Sequence, residues 1–339
     1  MRNKKILYLH SNTGELTKRY HVNRVTLWKQ LGYDVTLFDS TRHLDLTLFP
    51  SLDRMWRRRD PILMAFYEAL CQELVRCDIF IHFNGANIHP EYLDQFSCIK
   101  VYHCADDPDS SNVLSRPVAP HYDICAISNI ACLDLYRQWG CKKVFFWPLG
   151  SIFPDEVIER ILGEAPTRTA PVVFVGSKYG VSSIPLLGRL LGLYKRRSFM
   201  SALERRVSCL VAYGPQWKNG FLPDDQLPRL YASAILGVNK HNSTGPINFR
   251  LYDLPAFGVL QICDCKDNLA SVYRLNEEVV GYDSLNECVD AIGYYLSHPE
   301  EAGRIAAQGR ERFKRDYSSI PLWKTFVANL ERCLAPGQS

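Results

Sequence analysis

The chain has 339 residues, of which 47% are hydrophobic and 22% charged, a balance that allows a large buried core and excludes disordered and fibrous proteins. Its length exceeds the roughly 250–300 residues at which a single core usually stops growing, so two domains are expected. The formal net charge of +4 arises in residues 166–339, where 21 basic side chains outnumber 16 acidic ones, and it does not indicate nucleic-acid binding by the whole chain.

Short apolar runs alternate with helical segments along the chain, a pattern typical of parallel sheets with crossover helices. The predicted strands of the first half are 6–10, 34–38, 78–83, 100–103, 123–127 and 143–147. One helix is predicted to begin at Pro61 with Asp60 as its N-cap, and another over 130–139 to end at Gly140. No apolar run has the roughly 18–20 residues of a membrane span, and the short run at 6–9 is expected to be a strand rather than a signal peptide.

A polar stretch at 163–171 contains two prolines and no periodicity, and it predicts a linker. Beyond it the predicted elements are strands 172–175, 207–212, 234–238, 259–263 and 279–281 and helices 286–297, 299–315 and 322–333. We therefore predict an α/β protein with Rossmann-like domains at 1–165 and 166–318 and a final helix, 320–335, that packs back on the first domain. Ligands bind beyond the carboxyl ends of parallel strands, so the site is expected in a cleft between the domains.

The twelve cysteines lie mostly within apolar runs, where a reduced thiol behaves as a small hydrophobic side chain. There is no CxxC pair, and the sequence CDC at 263–265 is too sparse for a zinc site. The pattern predicts reduced structural cysteines, a cytoplasmic location and no bound metal.

The sequence RMWRRR places Arg54, Arg57, Arg58 and Arg59 around one tryptophan, directly before Asp60. One interpretation is an exposed loop whose charges are solvated. The other is a surface that binds an anionic acceptor, such as a nucleic acid, a lipid phosphate or an acidic glycan.

Two predicted strands of the second half end in glycine, which lets a phosphate or a sugar approach the backbone closely. The first continues into a serine and a lysine. The second turn carries a tyrosine and a tryptophan, either of which would stack on a nucleobase or pack in the core. Neither turn fits GxxxxGK[ST] or GxGxxG, so a Walker loop and a dinucleotide site are not supported. The candidate ligand-binding residues of these turns are Gly176, Ser177, Lys178, Tyr213, Gly214 and Trp217.

The densest polar segment is NKHNSTGPINFRLYD at 239–253. A helix beginning near Asn248 would present its unpaired amide groups and its positive dipole end to a ligand. Together with Arg250 these groups would hold a diphosphate. Asp253, one turn later, would hydrogen-bond vicinal hydroxyl groups such as those of ribose.

Several sequence blocks follow one another in an order known from one family. The segment NFRLYDLPAFGVLQICD at 248–264 fits the pattern N-x-R-x-x-E-x-x-A-x-G, and VFVGS, YGPQW, CADDP and VFFWPLG fit further blocks on its N-terminal side. Over roughly residues 75–317 the chain thus resembles CgeB-like glycosyltransferases, relatives of family 4 glycosyltransferases with the GT-B fold. The resemblance implies two Rossmann-like domains facing each other across a cleft.

The same resemblance implies a co-substrate rather than a prosthetic group, namely a nucleotide-diphosphate sugar, with UDP-sugars favoured. The second domain would hold this donor and the first domain a hydroxyl acceptor. Family 4 enzymes carry an E-x7-E pair, whose second acid aligns with Asp253 and whose first aligns with Gly245. Because Gly245 has no side chain, Thr244 or nearby backbone amides are expected to recognise the sugar.

Displacement at an anomeric carbon leaves negative charge on the departing phosphate, which Arg250 and Lys178 would stabilise. The base that activates the acceptor is expected among His103, Asp106 and Asp107, which follow a first-domain strand. A buried structural histidine and a helix cap are the alternatives for these residues. The sequence DPD that begins at Asp107 also fits a metal-binding D-x-D pattern, but the two-domain organisation favours a metal-independent enzyme.

Two other functions stay open. A sugar-nucleotide epimerase or hydrolase would turn over the donor without an acceptor, and a non-catalytic sugar-nucleotide-binding protein would bind it without turnover. For a transferase the acceptor is a polysaccharide, a protein or a modified DNA base, and the sequence does not choose among them.

Overall fold

The structure of the protein is a computed structural model. It describes residues 3–11, 14–45, 47–179, 186–241, 244–264 and 266–335, with the backbone alone for 186–194 and 266. The chain divides into two compact units, Met1–Pro148 together with Leu322–Ser339, and Leu149–Pro321. None of the helices within the described residues has the length and apolar composition that crossing a bilayer requires.

The first unit contains one parallel sheet of six strands in the order β2-β1-β3-β4-β5-β6. Its elements are β1 Lys5–His10, α1 Glu15–Gln30, β2 Asp34–Asp39, α2 Phe49–Arg57, α3 Pro61–Leu74, β3 Ile79–Phe83, α4 Pro90–Leu93, β4 Ile99–Cys104, β5 Ile124–Ile127, α5 Leu133–Gln138 and β6 Val144–Phe146. All six strands predicted for the first half are confirmed, with ends that shift by a residue or two. Strands β3 and β5 are buried along their whole length, as expected for a parallel sheet covered on both faces.

The helix predicted at Asp60 is confirmed, because the Asp60 carboxylate accepts the Ile62 amide and Pro61 occupies the first position of α3. The loop interpretation of the preceding basic cluster is wrong for Arg54 and Arg57, since both lie in α2. That segment is helical because Leu52 on its inner face is fully buried.

The last helix, α13 Ser319–Leu334, contributes to the first unit from Leu322 onward. The ring of Trp323 stacks on Trp28, with centroids 3.9 Å apart. The ring of Phe326 stacks on Trp147 at 4.0 Å. These large buried aromatic contacts attach the end of the chain to the first sheet.

The second unit contains a parallel sheet of five strands in the order β11-β10-β9-β7-β8. Its elements are α6 Asp155–Gly163, β7 Ala170–Val175, α7 Leu186–Arg206, β8 Leu210–Tyr213, α8 Leu227–Ala232, β9 Ala234–Asn239, α9 Arg250–Ala256, β10 Leu260–Cys263, α10 Lys266–Leu269, β11 Val280–Gly281, α11 Leu285–Ser297 and α12 Pro299–Arg312, followed by a π-helical turn, Phe313–Tyr317. The strand predicted from residue 207 begins three residues later, because the Val207 amide still donates to Leu203 and closes α7.

The two units meet in the chain at Pro148 and Leu149, earlier than the predicted boundary at 165/166. Helix α6 belongs to the second unit because its side chains bond there. Glu159 at its centre pairs with Arg310 at 3.0 Å, and Glu164 at its C-cap pairs with Arg229 at 2.6 Å.

The cysteines within the described residues are free thiols, and most of them are buried. Cys265, part of the sequence CDC, lies outside the described residues.

Candidate functional site

The candidate site lies at the carboxyl edge of the second sheet, where β7 and β9 are neighbours. The chain leaves β7 toward β8 on one side and returns as β9 on the other. This divergence is a topological switch point, the place where open α/β sheets bind ligands because the two connections leave a crevice between the strand ends.

Arg250, the first residue of α9, connects the two strand ends at this point. Its Nη1 donates to the Val175 carbonyl at 2.5 Å, its Nη2 to the Lys240 carbonyl at 3.2 Å and its Nε to Asn239 Oδ1 at 3.2 Å. A guanidinium has five N–H groups, so two are left without a partner among the described residues. A half-buried cation with unused donors at a switch point suits an anionic ligand.

The glycines that were predicted to admit a phosphate are explained by contacts within the chain. Gly176 has φ +150°, and a Cβ there would lie 2.6 Å from Nη1 of Arg250. Gly214 has φ +125°, and a Cβ there would lie 2.6 Å from the Gly176 carbonyl oxygen. The first glycine therefore makes room for the arginine and the second for the neighbouring strand end.

Trp217 does not offer a surface for base stacking, because only 6% of it is exposed. Its indole N–H donates to the Gly176 carbonyl at 2.8 Å, and its ring packs on Phe174 with centroids 5.6 Å apart. The packing interpretation of this tryptophan is the correct one. Tyr213 is half-buried at the end of β8, so base stacking by its ring stays a prediction.

Lys178 does not present an unpaired ammonium group. Its Nζ forms an ion pair with Glu204 at 2.6 Å and lies 4.9 Å above the ring of Trp217. The charge expected to stabilise a leaving phosphate is therefore already neutralised. Ser177 beside it donates to Gln216 Oε1 at 3.1 Å.

Three amide groups in the first turn of α9 are engaged within the chain. Asn248 Oδ1 accepts the Leu251 amide at 2.9 Å, and the Phe249 carbonyl accepts the amides of Tyr252 and Asp253. The amides of Leu251, Tyr252 and Asp253 are therefore not open to a ligand, and binding by the amides that precede them stays a prediction. Asn248 acts as a cap and also exchanges hydrogen bonds with Asn239.

Gly245, which aligns with the first acid of the E-x7-E pair, lies against the ring of His241. A Cβ at this position would be 2.9 Å from His241 Cγ, so a glutamate would displace the histidine. Thr244 next to it is exposed, and Ser243 lies outside the described residues.

Asp253, which aligns with the second acid, is only 2% exposed. Its Oδ1 accepts the Ser151 hydroxyl at 2.7 Å and the Ile152 amide at 3.0 Å. Burial raises the pKa of this carboxyl from 3.8 to about 7, and the two hydrogen bonds and the positive charge of Arg250 oppose the shift. In this structure the carboxyl binds its own chain where ribose hydroxyls were expected.

The sequence interpretation missed Arg196. It is 6% exposed and donates from three nitrogens to the carbonyl oxygens of Ser177, Lys240 and His241. The signal was present in the sequence, because Arg196 lies four and seven residues before Met200 and Leu203, which are fully buried on α7.

One group among the described residues has the geometry to hold a metal ion, namely His241, Cys263 and Asp264. The carboxylate of Asp264 accepts from His241 Nδ1 at 2.6 Å and from Lys240 Nζ at 2.6 Å. These two partners lower the pKa of Asp264 to about 2 despite its burial. The lysine ammonium occupies the place that a cation would need at this carboxylate.

The three base candidates of the first unit lie in different surroundings. His103 is fully buried, and its Nε2 is 2.6 Å from the hydroxyl of Ser128. Burial lowers the pKa of His103 well below its usual value. Asp107 is 2% exposed. The hydroxyl groups that donate to its carboxylate belong to Ser111, Ser115 and Tyr136. Both residues therefore have structural roles in this structure.

Asp106 differs from these two because the residue as a whole is exposed. One of its carboxylate oxygens accepts the side-chain amide of Asn84. Loss of water around the carboxyl raises its pKa, the Asn84 hydrogen bond opposes the shift, and the charges of Asp107 and Asp109 add to it.

The predicted acceptor-binding arginines, Arg54, Arg57, Arg58 and Arg59, are all exposed on or just after α2. Arg57 pairs with Asp53 at 2.8 Å. The guanidinium of Arg59 lies 5.5 Å from the ring centroid of the tryptophan in the cluster.

Comparison with known proteins agrees with this architecture. A family model described as glycosyl transferase-like matches residues 195–328. No curated protein sequence matches the chain.

Solved structures that are similar include HepE from Anabaena in complex with UDP and glucose, which is 13% identical and has a TM-score of 0.59. The alignment covers 97% of this chain and 100% of the HepE chain. The same protein in complex with UDP-glucose is 12% identical, with a TM-score of 0.60 and the same coverage. Sucrose-phosphate synthase from Thermosynechococcus elongatus is 12% identical, with a TM-score of 0.63, and 98% of this chain covers 100% of it. The protein therefore has the α/β fold of GT-B glycosyltransferases, and residues 195–328 match a glycosyl transferase-like family model.

Proposed function

We propose that this protein is a glycosyltransferase that moves a sugar from a nucleotide-diphosphate donor, with UDP-sugars favoured, to a hydroxyl acceptor. The observation that carries the proposal is Arg250, a half-buried guanidinium at the switch point of the second sheet, with two N–H groups that no described residue accepts. A diphosphate placed there would receive charge-assisted hydrogen bonds while negative charge develops on it. The UDP and UDP-glucose bound in the HepE structures support the donor class.

For the acceptor hydroxyl we propose Asp106 as the base. It is the exposed member of the three candidates, and the partner described for its carboxylate is one side-chain amide, whereas three hydroxyl groups donate to Asp107. The proposal predicts that Asp106→Asn loses transfer while donor binding is retained.

The proposal includes a CgeB-like subtype, a metal-independent mechanism and a cytoplasmic location, which stay predictions from the sequence. Metal independence is supported by the carboxylate of Asp107, which hydroxyl groups of its own unit already occupy. Transfer that survives EDTA would agree with it, and transfer that returns only with added Mg²⁺ or Mn²⁺ would contradict it.

Titration calorimetry of the purified chain with UDP, GDP, dTDP and CMP tests the donor class directly. Selective binding of one nucleoside diphosphate is expected. The matching nucleotide sugar is then incubated with and without candidate acceptors, and release of the diphosphate is measured. Binding of none of these nucleotides would refute the proposal.

A second candidate, a non-catalytic sugar-nucleotide-binding protein, is favoured by one observation. The His241 ring fills the space beside Gly245, and Asp253 is bonded to its own chain, so neither position of the acid pair offers a free carboxylate in this structure. Donor binding without hydrolysis or transfer over a broad acceptor panel would support this candidate. Turnover of the donor without any acceptor would instead indicate an epimerase or a hydrolase.

A further inference from the structure

Arg196 is a buried cation whose partners are backbone carbonyl groups. Its Nε and Nη2 donate to the Ser177 carbonyl at 3.2 and 2.8 Å, and its Nη1 donates to the carbonyls of Lys240 at 3.0 Å and His241 at 3.3 Å. It therefore connects the segment that follows β7 with the segment that follows β9, at the same switch point as Arg250.

The two arginines form a pair of positive charges around one ring. The guanidinium of Arg196 lies 5.8 Å from the ring centroid of Phe174, and that of Arg250 lies 5.1 Å from it. Both donate to the Lys240 carbonyl. Within the described residues no carboxylate lies within ion-pair distance of either guanidinium. Burial lowers the pKa of Arg196 to about 10, the neighbouring charge of Arg250 adds to this shift, and the more distant charge of Asp264 opposes it.

Two like charges close together, with Arg196 buried and Arg250 half-buried, cost free energy that a bound anion would offset. A group with two negative charges would compensate both guanidinium groups at once. The two guanidinium groups therefore favour binding of a diphosphate at this place over binding of an uncharged part of the ligand.

We propose that Arg196 is a positioning residue for the diphosphate of the donor. Four of its five N–H groups are used by backbone carbonyls, so it acts through Arg250 and the segments it fixes rather than through direct contact. It holds the residues after β7 and β9 in place, and its charge raises the affinity of the site for a doubly charged group. This inference rests on the proposed function.

The chain offers a matched control in Arg168. This arginine also donates to backbone carbonyls, those of Tyr231, Ala234, Phe257 and Gly258. It is more exposed than Arg196 and lies at the opposite, amino edge of the same sheet, where β9 begins at Ala234. Loss of either arginine removes hydrogen bonds that stabilise the unit, but only Arg196 lies at the switch point.

The experiment compares Arg196→Gln, Arg196→Lys and Arg168→Gln with the wild-type chain. Titration calorimetry measures the affinity of each for UDP, for inorganic pyrophosphate and for uridine. We expect Arg196→Gln to weaken UDP and pyrophosphate roughly tenfold to a hundredfold while the affinity for uridine stays the same. Arg196→Lys keeps the charge and loses the planar fork, so an intermediate loss is expected. Arg168→Gln is expected to lower the melting temperature and leave all three affinities unchanged.

The outcomes separate the two proposals. If wild-type chain binds neither UDP nor pyrophosphate, the proposed function fails and the inference fails with it. If wild-type chain binds both, and Arg196→Gln and Arg196→Lys keep the ratio of UDP to uridine affinity, the role of Arg196 is structural only and this inference alone is wrong. Arg196→Lys decides the question where Arg196→Gln does not fold.

Discussion

Arg250 takes its partners from the oxygen atoms of two strand ends and one asparagine, and these hydrogen bonds fix its guanidinium before any ligand arrives. A donor group that is already oriented loses little entropy when it binds an anion. The side chain therefore holds two strand ends together and, as proposed, also binds the diphosphate. Its substitution is expected to affect both the local structure and diphosphate binding.

We predict that Arg250→Lys loses most transfer activity and at least tenfold in UDP affinity, because an ammonium cannot reproduce the planar fork. Steady-state kinetics and calorimetry with UDP measure the two effects, and circular dichroism checks the fold. Near-normal turnover in a folded variant would refute the phosphate role of Arg250.

The burial of the Asp253 carboxyl predicts that the free energy of unfolding depends on pH. An unfolded aspartate has a pKa of about 3.9, whereas the folded value is about 7. The protonated form is thus favoured by folding, and this contribution is complete below pH ~4 and is lost as the pH rises through ~7. Asp253→Asn keeps the acceptor oxygen for Ser151 and Ile152 without the ionisation.

We expect the free energy of unfolding of Asp253→Asn to rise relative to that of the wild type as the pH increases from 4 to 7. The difference is expected to change by on the order of 2–4 kcal/mol by pH 7 and to stay constant at higher pH. Urea unfolding at a series of pH values measures it. Two stability curves that run parallel across this range would show that Asp253 is ionised in the folded chain.

At the scale of elements, helix α2 places four exposed arginines at and just beyond its carboxyl end. Packing explains the apolar residue on the inner face of the helix, because Leu52 is fully buried. It does not explain why the outer face carries arginines. All four are exposed, although Arg57 pairs with Asp53, and binding of a nucleic acid to them would have a salt dependence that can be measured.

If the acceptor is DNA, Arg57→Ala combined with Arg58→Ala is expected to weaken binding and to reduce the slope of log K against log salt by about 2, because two phosphate contacts are lost. Binding is measured by fluorescence anisotropy at several salt concentrations. Arg116→Ala combined with Arg137→Ala removes the same charge from exposed positions elsewhere in the first unit and serves as the control. Equal slopes for both double variants would exclude α2 as the DNA contact.

The glycine-ended strands show how an element can be predicted while its purpose is misread. The pattern correctly located the carboxyl ends of β7 and β8. In the structure, however, Gly176 makes room for the Arg250 side chain, and Gly214 makes room for the backbone of Gly176. A glycine signals a close approach, and sequence does not say whether a ligand or the chain itself makes the approach.

At the scale of the whole molecule, the chain returns to its first unit at the end, and the stacked rings of Trp323 and Trp28 carry much of this attachment. Trp323 is 1% exposed, and its indole N–H has no partner among the described residues. The contribution of this side chain is therefore apolar.

We predict that Trp323→Ala destabilises the chain by about 3–5 kcal/mol, whereas Trp323→Phe costs less because it keeps most of the stack and removes the unpaired N–H. Urea unfolding followed by circular dichroism measures both variants. UDP affinity under native conditions is expected to be unchanged, since the residues proposed to bind it belong to the other unit. Equal stability of the Ala variant and wild type would show that the last helix is not held by this ring.

The sequence by itself determined the number of strands, their parallel arrangement and the edge at which the donor site is proposed. Those features follow from apolar runs, caps and glycines, which are local in the chain. Tertiary structure alone decided which polar residues are available, because their availability depends on partners far away in sequence. Lys178 is neutralised by Glu204, Asp253 is bonded to Ser151, and Arg196 lies beneath the site because α7 packs its buried face there. Hydrogen bonds and ion pairs between distant segments form only when the sheet has brought its strand ends together. A local pattern can place Arg196 on the buried face of its helix, but it does not name the partners of these side chains.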